Sequence, residues 1–313
     1  MPKPLVHILM ATYNGEKYIK QQIDSIIAQS HQEFVLYIND DNSSDATFDI
    51  ASEYAQKEPN KIIVTRNKVN SGSAKRNFFG MLATHKHDYL MLCDQDDVWL
   101  PDKISKTMIK MKELEDLHGA NMPILVHTDL CVVNQDLQLI NSSHKQAMGL
   151  DFTRIALQQV LIQNVVTGNT VMYNRSLSEL IGCEPEYFIM HDWWLKLIAS
   201  SFGKIGSLGE SQTVLYRQHG KNEVGAKDIH KLSYKVNRLI KGGSIKEAIR
   251  TTCPQASCFL EIYKCKLAAE QIALIENYCI IPKLGKLSRW RTLSSMGALK
   301  SGVIRNIAYL IFI

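Results

Sequence analysis

No stretch of this 313-residue chain approaches the roughly 18 uninterrupted apolar residues that a membrane-spanning helix needs. No apolar leader is visible either: Met1-Pro2-Lys3-Pro4-Leu5-Val6-His7 runs directly into a strand-like segment, the expectation for a chain without a signal peptide. Cysteine is scarce. There are seven, an odd number with no CxxC spacing, so they read as reduced cytosolic thiols, and neither a structural disulfide nor a zinc knuckle is expected. Internal repeats and turn-rich linkers are also missing. With 45% hydrophobic and 21% charged residues, the composition excludes a disordered chain, a collagen and a coiled coil. The length suits two domains, or one α/β domain with an appendage, and is ample for a large core.

Acidic residues are scarce in one region. From residue 227 onward there are fifteen Lys and Arg against five Asp and Glu, about +10, while the whole chain carries +5, which leaves the preceding part near −5. A basic C-terminal third calls for an anionic partner. No nucleic-acid motif accompanies the charge, so nucleic acid is not expected.

The first half alternates strand and helix signals, the pattern of an α/β fold. Apolar runs at Val6–Met10, Phe34–Ile38, Lys61–Thr65 and Tyr89–Cys93 predict four strands, with helices over 16–29, 46–57 and from 74 to Thr84. Further on, a helix is expected near 101–118, strands at Ile124–Thr128, Thr170–Tyr173 and Thr213–Arg217, and a helix over Tyr187–Phe202. After Gly225 the pattern is helical and basic, which divides the chain into 1–225 and 226–313. Polar clusters follow the first, second and fourth strands. In open α/β sheets ligands sit beyond the carboxyl ends of strands, so the three clusters are expected to face one crevice.

Asp94-Gln95-Asp96-Asp97 is the most informative segment. Three carboxylates within four residues repel one another, and a hard cation, Mg²⁺ or Mn²⁺, with substrate phosphates would stabilise them. The plainer reading is a solvated turn in which Asp97 caps the following helix.

Ala11-Thr12-Tyr13-Asn14-Gly15-Glu16-Lys17-Tyr18, Asn39-Asp40-Asp41-Asn42-Ser43-Ser44-Asp45 and Asp94-Gln95-Asp96-Asp97 stand in order along the chain. Asn70-Ser71-Gly72 with Lys75 and Asn77, Thr167-Gly168-Asn169, His191-Asp192-Trp193-Trp194 and Tyr216-Arg217-Gln218-His219 follow the same order. This set, over roughly residues 5–225, resembles the family 2 glycosyltransferases of the GT-A fold, and within them the bacterial rhamnosyltransferase-type enzymes of surface-polysaccharide synthesis. The resemblance implies a Rossmann-like nucleotide-diphospho-sugar transferase: a mixed sheet flanked by helices, with a helical, basic C-terminal extension. It implies an inverting, metal-dependent transfer of a rhamnose-, galactose- or glucose-type sugar from a dTDP- or UDP-sugar. The acceptor would be a hydroxyl of a lipid-linked glycan, in O-antigen or capsule synthesis at the cytoplasmic face of a bacterial inner membrane.

The same resemblance implies roles. Asp41 would accept a hydrogen bond from the ring N–H of uracil or thymine, an acceptor matched to a donor. The backbone at Ala11 and the ring of Tyr13 would form the base pocket; Asp94 would bind the ribose and Asp96 the metal. His219 would be a further metal ligand, since neutral imidazole suits Mn²⁺. Lys75 would reach the base or the phosphates, Arg217 the diphosphate, and Gly168 would line the donor pocket by close backbone approach. Asp192 would be the general base and Trp193 an acceptor platform. Structural readings compete: Asp41 as a turn residue, Tyr13 as core, Lys75 as a surface lysine, Asp192 as a helix cap, His219 as a plain loop histidine, and one of Trp193 and Trp194 as core.

In the C-terminal region, Lys231, Lys235, Arg238 and Lys241 recur beside Leu232, Val236, Leu239 and Ile240. Lys283, Lys286, Arg289 and Arg291 bracket Leu284, Leu287 and Trp290. Basic residues with interfacial aromatics fit an anionic membrane surface, as does the apolar end Ile304–Ile313; a solvated helical subdomain is the alternative. Segments 141–150 and 220–227 are candidate lids. Two other functions compete. A sugar nucleotidyltransferase needs a Gly-rich, Arg-containing loop after the first strand, which Ala11–Glu16 is not. A non-catalytic nucleotide-sugar or membrane-complex binder should lack Asp96 or Asp192, and both are present.

Overall fold

A computed structural model describes residues 3–219, 243–302 and 306. The chain forms two compact units. The described part of the first is residues 3–144, 166–184 and 203–219, and that of the second is 145–165, 185–202, 243–302 and 306. Two stretches that precede residue 225 therefore pack with the C-terminal helices. The expected lid at 220–227, the basic positions Lys231 to Lys241 and most of the apolar end lie outside the described residues.

The first unit is a nine-stranded mixed sheet: β1 (Val6–Thr12), β2 (Phe34–Asp40), β3 (Ile62–Arg66), β4 (Tyr89–Asp94), β5 (Val98–Trp99), β6 (Ile124–Val133), β7 (Leu139–Asn141), β8 (Val171–Asn174) and β9 (Lys204–Arg217). Its order is β3-β2-β1-β4-β8-β6-β9-β5, with β7 on β6. Strands β3, β2, β1 and β4 are mutually parallel. Their connections are α1 (Ile19–Ile27), α2 (Thr47–Lys57) and α3 (Ala74–Thr84), and α4 (Lys103–His118) follows β5. The central strand β4 is buried on both faces, hence its unbroken Tyr-Leu-Met-Leu-Cys run, whereas β2 alternates buried with half-buried positions.

Three differences from the sequence expectations have physical causes. β9 has 14 residues where five were expected, because its first half is polar and Gly-rich and gains strand structure only by pairing with β6. Gly203 permits that pairing. A Cβ there would lie 1.8 Å from the Pro123 carbonyl oxygen, the acceptor of the Lys204 N–H at 2.8 Å. The short strands β5 and β7 carry no period of their own and exist as partners of β9 and β6. Within the expected lid 141–150, α5 (His144–Met148) forms a helical turn.

One stack on this sheet is sensitive to pH. The His7 ring lies 3.6 Å from that of His87 with planes 5° apart, and Tyr37 stacks on both. Burial, then the facing His87 and His85, lower His7 from 6.5 to about 4; burial also lowers His87, and Asp88 opposes both shifts. The unfolded chain thus takes up protons that the folded chain refuses. The stabilisation is complete above about pH 6.5 and is lost as the pH falls toward 4. The melting temperature is expected to drop across that window, and His7→Phe to flatten the drop. An unchanged slope in that variant would assign the acid sensitivity elsewhere.

The second unit is helical: α6 (Leu157–Val160), α8 (His191–Phe202), α9 (Gly243–Tyr263), α10 (Ala269–Cys279) and α11 (Lys286–Ser295), with a short turn α7 (Arg175–Ser178) belonging to the first unit. Its core is aromatic, with Trp194 edge-on to Phe259 and Phe259 against Tyr263. Thr252 and Tyr278 join α9 to α10 through their hydroxyls at 2.8 Å.

Candidate active site

The carboxyl ends of β1, β2 and β4 lie side by side, so the three polar clusters meet as their placement after these strands implies. Much of their polarity builds the scaffold. The Asn14 side chain accepts from the Ser44 N–H, the Gly15 N–H donates to Thr47, and Glu16 and Asp45 exchange bonds with each other's loop backbone. Asn14 and Asn42 adopt left-handed backbone (φ 47° and 62°), which asparagine tolerates better than most residues. Asp40 is fully buried, accepts from Ser43 and Thr12, and pairs with Arg66 at 3.3 Å.

Above this scaffold, Ala11 is in register with Asp94 across β1 and β4. Asp41 is buried: one carboxylate oxygen accepts from Asn67 (2.7 Å) and the Ser71 N–H (2.8 Å), the other from the Ser71 hydroxyl (2.7 Å). Its two oxygens carry about four lone-pair sites, which leaves acceptor capacity. Tyr13 is 49% exposed, so the core reading of this residue fails and its ring is open to stacking. Its backbone is held at both ends by Gln95, which accepts from the Tyr13 N–H and donates to the Tyr13 carbonyl, each at 2.9 Å. Lys75 is half-buried in the first turn of α3, and Gly168 is buried at the start of a 3₁₀ turn over Gly168–Thr170.

Gln95 was not singled out in the sequence. It packs where a Cβ on Gly15 would sit, 2.2 Å from its Oε1. Gly15→Ala is expected to dislodge Gln95, free the Tyr13 loop and raise the donor KM on the order of tenfold, with little change in melting temperature. An unaltered KM would detach this loop from donor binding.

Asp96 and His219, 123 positions apart, come together: His219 Nε2 lies 2.7 Å from Asp96 Oδ2, with side chains 12% and 17% exposed respectively. The ring of Tyr18 stacks on His219 at 4.9 Å. One carboxylate oxygen beside one imidazole nitrogen is a donor set that suits Mn²⁺ or Mg²⁺. Among the described residues no group of three or more His, Cys, Asp and Glu is arranged to hold a metal.

Asp97 corrects the capping expectation. It is fully buried, and α4 begins at Lys103 behind Asp102. Asp97 accepts from the Asn169 side chain and, at 3.0 Å, from the Arg217 N–H. It thereby ties the 3₁₀ turn and the end of β9 to the acidic loop. Burial, then the Asp96 and Asp94 carboxylates, push it well above the usual carboxylate range. Lys103 is buried below. Its Nζ has no hydrogen-bond partner among the described residues, lies 4.6 Å over the Trp99 ring, and burial lowers it to about 7.

Arg217 is likewise different from the expected diphosphate ligand. It is buried. Its guanidinium donates to the Asp96 carbonyl (2.8 Å), to the Gln135 carbonyl and to Gln21, and lies 4.6 Å from the Tyr18 ring. The arginine is a strut for the loop that carries Asp96.

Asp192 and Trp193 belong to the second unit. Asp192 is buried in the first turn of α8, which starts at His191 and not at Tyr187. Trp193 donates from its indole N–H to the Val160 carbonyl at 2.7 Å, while Trp194 is core. Lys196, one turn on, donates to the Arg154 carbonyl and is lowered to about 7, by burial first and by Arg154 next, with Asp192 opposing.

The sequence profile of glycosyl transferase family 2 matches residues 7–181. The chain belongs to this family. It is 28% identical over 243 residues to the dTDP-rhamnosyl transferase RfbG of Shigella flexneri, covering 74% of this chain and 79% of that protein. A putative teichuronic acid biosynthesis glycosyltransferase, TuaG of Bacillus subtilis, is 37% identical over 112 residues, 36% of this chain and 43% of that one. In fold, the glycosyltransferase resembles S. aureus TarS 1-349, with a TM-score of 0.56 and 15% identity over 99% of this chain and 90% of that one. The fold is GT-A, a mixed sheet flanked by helices with a helical C-terminal region. The enzyme is a glycosyltransferase, and the nucleotidyltransferase and non-catalytic readings give way. Among the described residues no helix is long and apolar enough to cross a membrane.

Proposed function

We propose that this glycosyltransferase transfers a rhamnose-, galactose- or glucose-type sugar, with inversion, from a dTDP- or UDP-sugar to a hydroxyl of a lipid-linked glycan for surface polysaccharide. The observation that carries the reading is the pairing of Asp96 with His219 just after β4, at the same sheet edge at which β2 leads into the buried Asp41. The names of the relatives support it: one is a dTDP-rhamnosyl transferase, and TarS 1-349 was crystallised with UDP-GlcNAc. Residues 1–225 would supply the catalytic machinery. Residues 226–313 would attach it to the anionic cytoplasmic face of the inner membrane.

In this reading Asp41 accepts the N–H of the base, Tyr13 stacks on its ring and the Ala11 backbone lines its edge. Asp94 accepts from the ribose hydroxyls, and Lys75 neutralises phosphate charge. Gly168 admits the donor sugar close to the backbone. Asp96 and His219 hold Mn²⁺ or Mg²⁺, whose chemistry when bound is to offset the negative charge of the diphosphate. Arg217 and Asp97 position Asp96. Asp192 takes the proton of the acceptor hydroxyl, and Trp193 steers the acceptor sugar. The acceptor oxygen forms a bond to the anomeric carbon from the face opposite the diphosphate. The anomeric C–O bond breaks with its electrons going to the diphosphate oxygen, and the configuration inverts.

The test is thermal stabilisation of the purified enzyme by UDP, dTDP, GDP and CDP with and without Mn²⁺, followed by transfer of radiolabelled sugar from the nucleotide that binds. A metal-dependent rise with UDP or dTDP is expected, because a ligand bound only by the folded state raises the melting temperature. No rise with either would overturn the donor assignment.

A further inference from the structure

The helix α11 and the turn before it carry a surface that catalysis does not use. Leu287 is 62% and Trp290 40% exposed, three positions apart on one helix. Residues three and four apart share a helix face, so Lys286 stands beside Trp290 and Arg291 beside Leu287. Leu293, three positions beyond Trp290, is buried, and Arg289, Thr292 and Met296 are half-buried on the packed side of the helix. Arg289 clasps the preceding 3₁₀ turn (Ile281–Lys283), donating to the carbonyls of Pro282 (2.8 Å) and Leu284 (2.6 Å). The clasp makes Arg289 a structural residue, unlike the lipid-facing role read from the sequence, while Lys283 in the same turn is exposed.

Single exposed apolar side chains are ordinary. The surrounding charge is not. Residues 277–313 contain no Asp or Glu and six basic residues: Lys283, Lys286, Arg289, Arg291, Lys300 and Arg305. A solvated helical face normally mixes both signs. Here a Leu-Trp pair is flanked by Lys286 and Arg291 with no acid in the helix or in the turn before it. An exposed aromatic ring, one exposed aliphatic side chain and cations with no acid in their own helix or turn match an anionic bilayer surface.

We propose that the Leu287–Trp290 face of α11, with Lys283, Lys286 and Arg291, is the docking surface for the anionic phospholipid headgroups of the bilayer. The surface deepens the membrane-attached acceptor reading and rests on it for its purpose. Docking there would hold the enzyme at the plane in which a lipid-linked acceptor diffuses.

The experiment is co-sedimentation of the full chain with phosphatidylcholine vesicles, alone or with about one third phosphatidylglycerol, at low and high salt. Salt-sensitive binding to the anionic vesicles only is expected. Leu287→Glu with Trp290→Glu, and separately Lys286→Glu with Arg291→Glu, are each expected to lower partitioning by on the order of tenfold or more. These positions are exposed, so the melting temperature and the nucleotide response should match the parent and exclude misfolding. Brominated lipid should quench the parent's fluorescence more than that of Trp290→Phe.

Undiminished sedimentation in both double variants would overturn the assignment of this face. A parent chain that ignores anionic vesicles, or binds polyphosphate or RNA equally well at the same salt, would overturn the lipid partner. Vesicle binding without any response to nucleotides would leave the docking surface standing and sink the donor reading, so the two failures are distinguishable.

Discussion

Asp192→Asn is expected to lower the turnover of sugar transfer about a thousandfold while leaving the UDP- or dTDP-induced rise in melting temperature intact. General-base catalysis contributes roughly 10² to 10⁴ in rate, and a thousandfold corresponds to about 4 kcal/mol at the barrier. Asparagine keeps the size and shape of the side chain and can bind the acceptor hydroxyl, but it cannot take the proton. The acceptor KM should therefore change little and kcat should carry the loss. Asparagine is preferable to alanine because Asp192 is buried in the first turn of α8 and acts electrostatically on buried Lys196. Retained transfer in Asp192→Asn would remove Asp192 from the chemistry and leave it as a local partner of Lys196.

Asp96→Asn should fail differently, losing both the transfer and the nucleotide response. Saturation at one hundred times Kd stabilises a folded protein by about 2.7 kcal/mol, a shift of several degrees. In the variant the Mn²⁺-dependent part of that shift should vanish. Transfer should fall by at least about a thousandfold, since the charge on the diphosphate is no longer offset. The Arg217 strut bonds the backbone carbonyl of Asp96, so the loop keeps its anchor when the side chain changes. His219→Ala should be milder, on the order of tenfold to a hundredfold, because water can replace a neutral imidazole at a metal. A normal Mn²⁺ response in Asp96→Asn, measured by the same thermal scan, would refute the assignment of the metal to this pair. Together the two variants separate binding from chemistry: Asp192→Asn binds without transferring, and Asp96→Asn does neither.

The acidic loop shows how far a local reading carries. Within Asp94-Gln95-Asp96-Asp97 the sequence distinguishes three carboxylates but assigns them similar surroundings. The fold gives them different fates. Asp96 meets His219, Asp97 sinks beneath the loop as an acceptor for Asn169 and the Arg217 N–H, and Gln95, the residue without charge, locks the Tyr13 loop. None of these partners is local. They lie between 72 and 123 positions away. A carboxylate that caps a helix and one that ties strands together therefore look alike in one dimension.

The first four strands and their helices were legible in the sequence, because β1 and β4, buried nearly throughout, are apolar runs, β2 alternates buried with half-buried positions, and the helices between them present one apolar stripe. The set of motifs carried the resemblance to the family, and those after β1, β2 and β4 meet because the strands of a parallel sheet end on one edge. Tertiary structure alone decided the rest. β9 became a 14-residue strand because β6 offered its backbone a partner, despite a polar, Gly-rich first half. Arg217 became a buried strut because three acceptors from distant segments surround its guanidinium. Trp194 went to the core while Trp193, its neighbour, turned its indole N–H to the Val160 carbonyl, a division between two identical side chains that only helical geometry makes. Propensity and periodicity act over a few residues and therefore show in the sequence. Burial and hydrogen-bond partnership depend on which segments the completed sheet brings together.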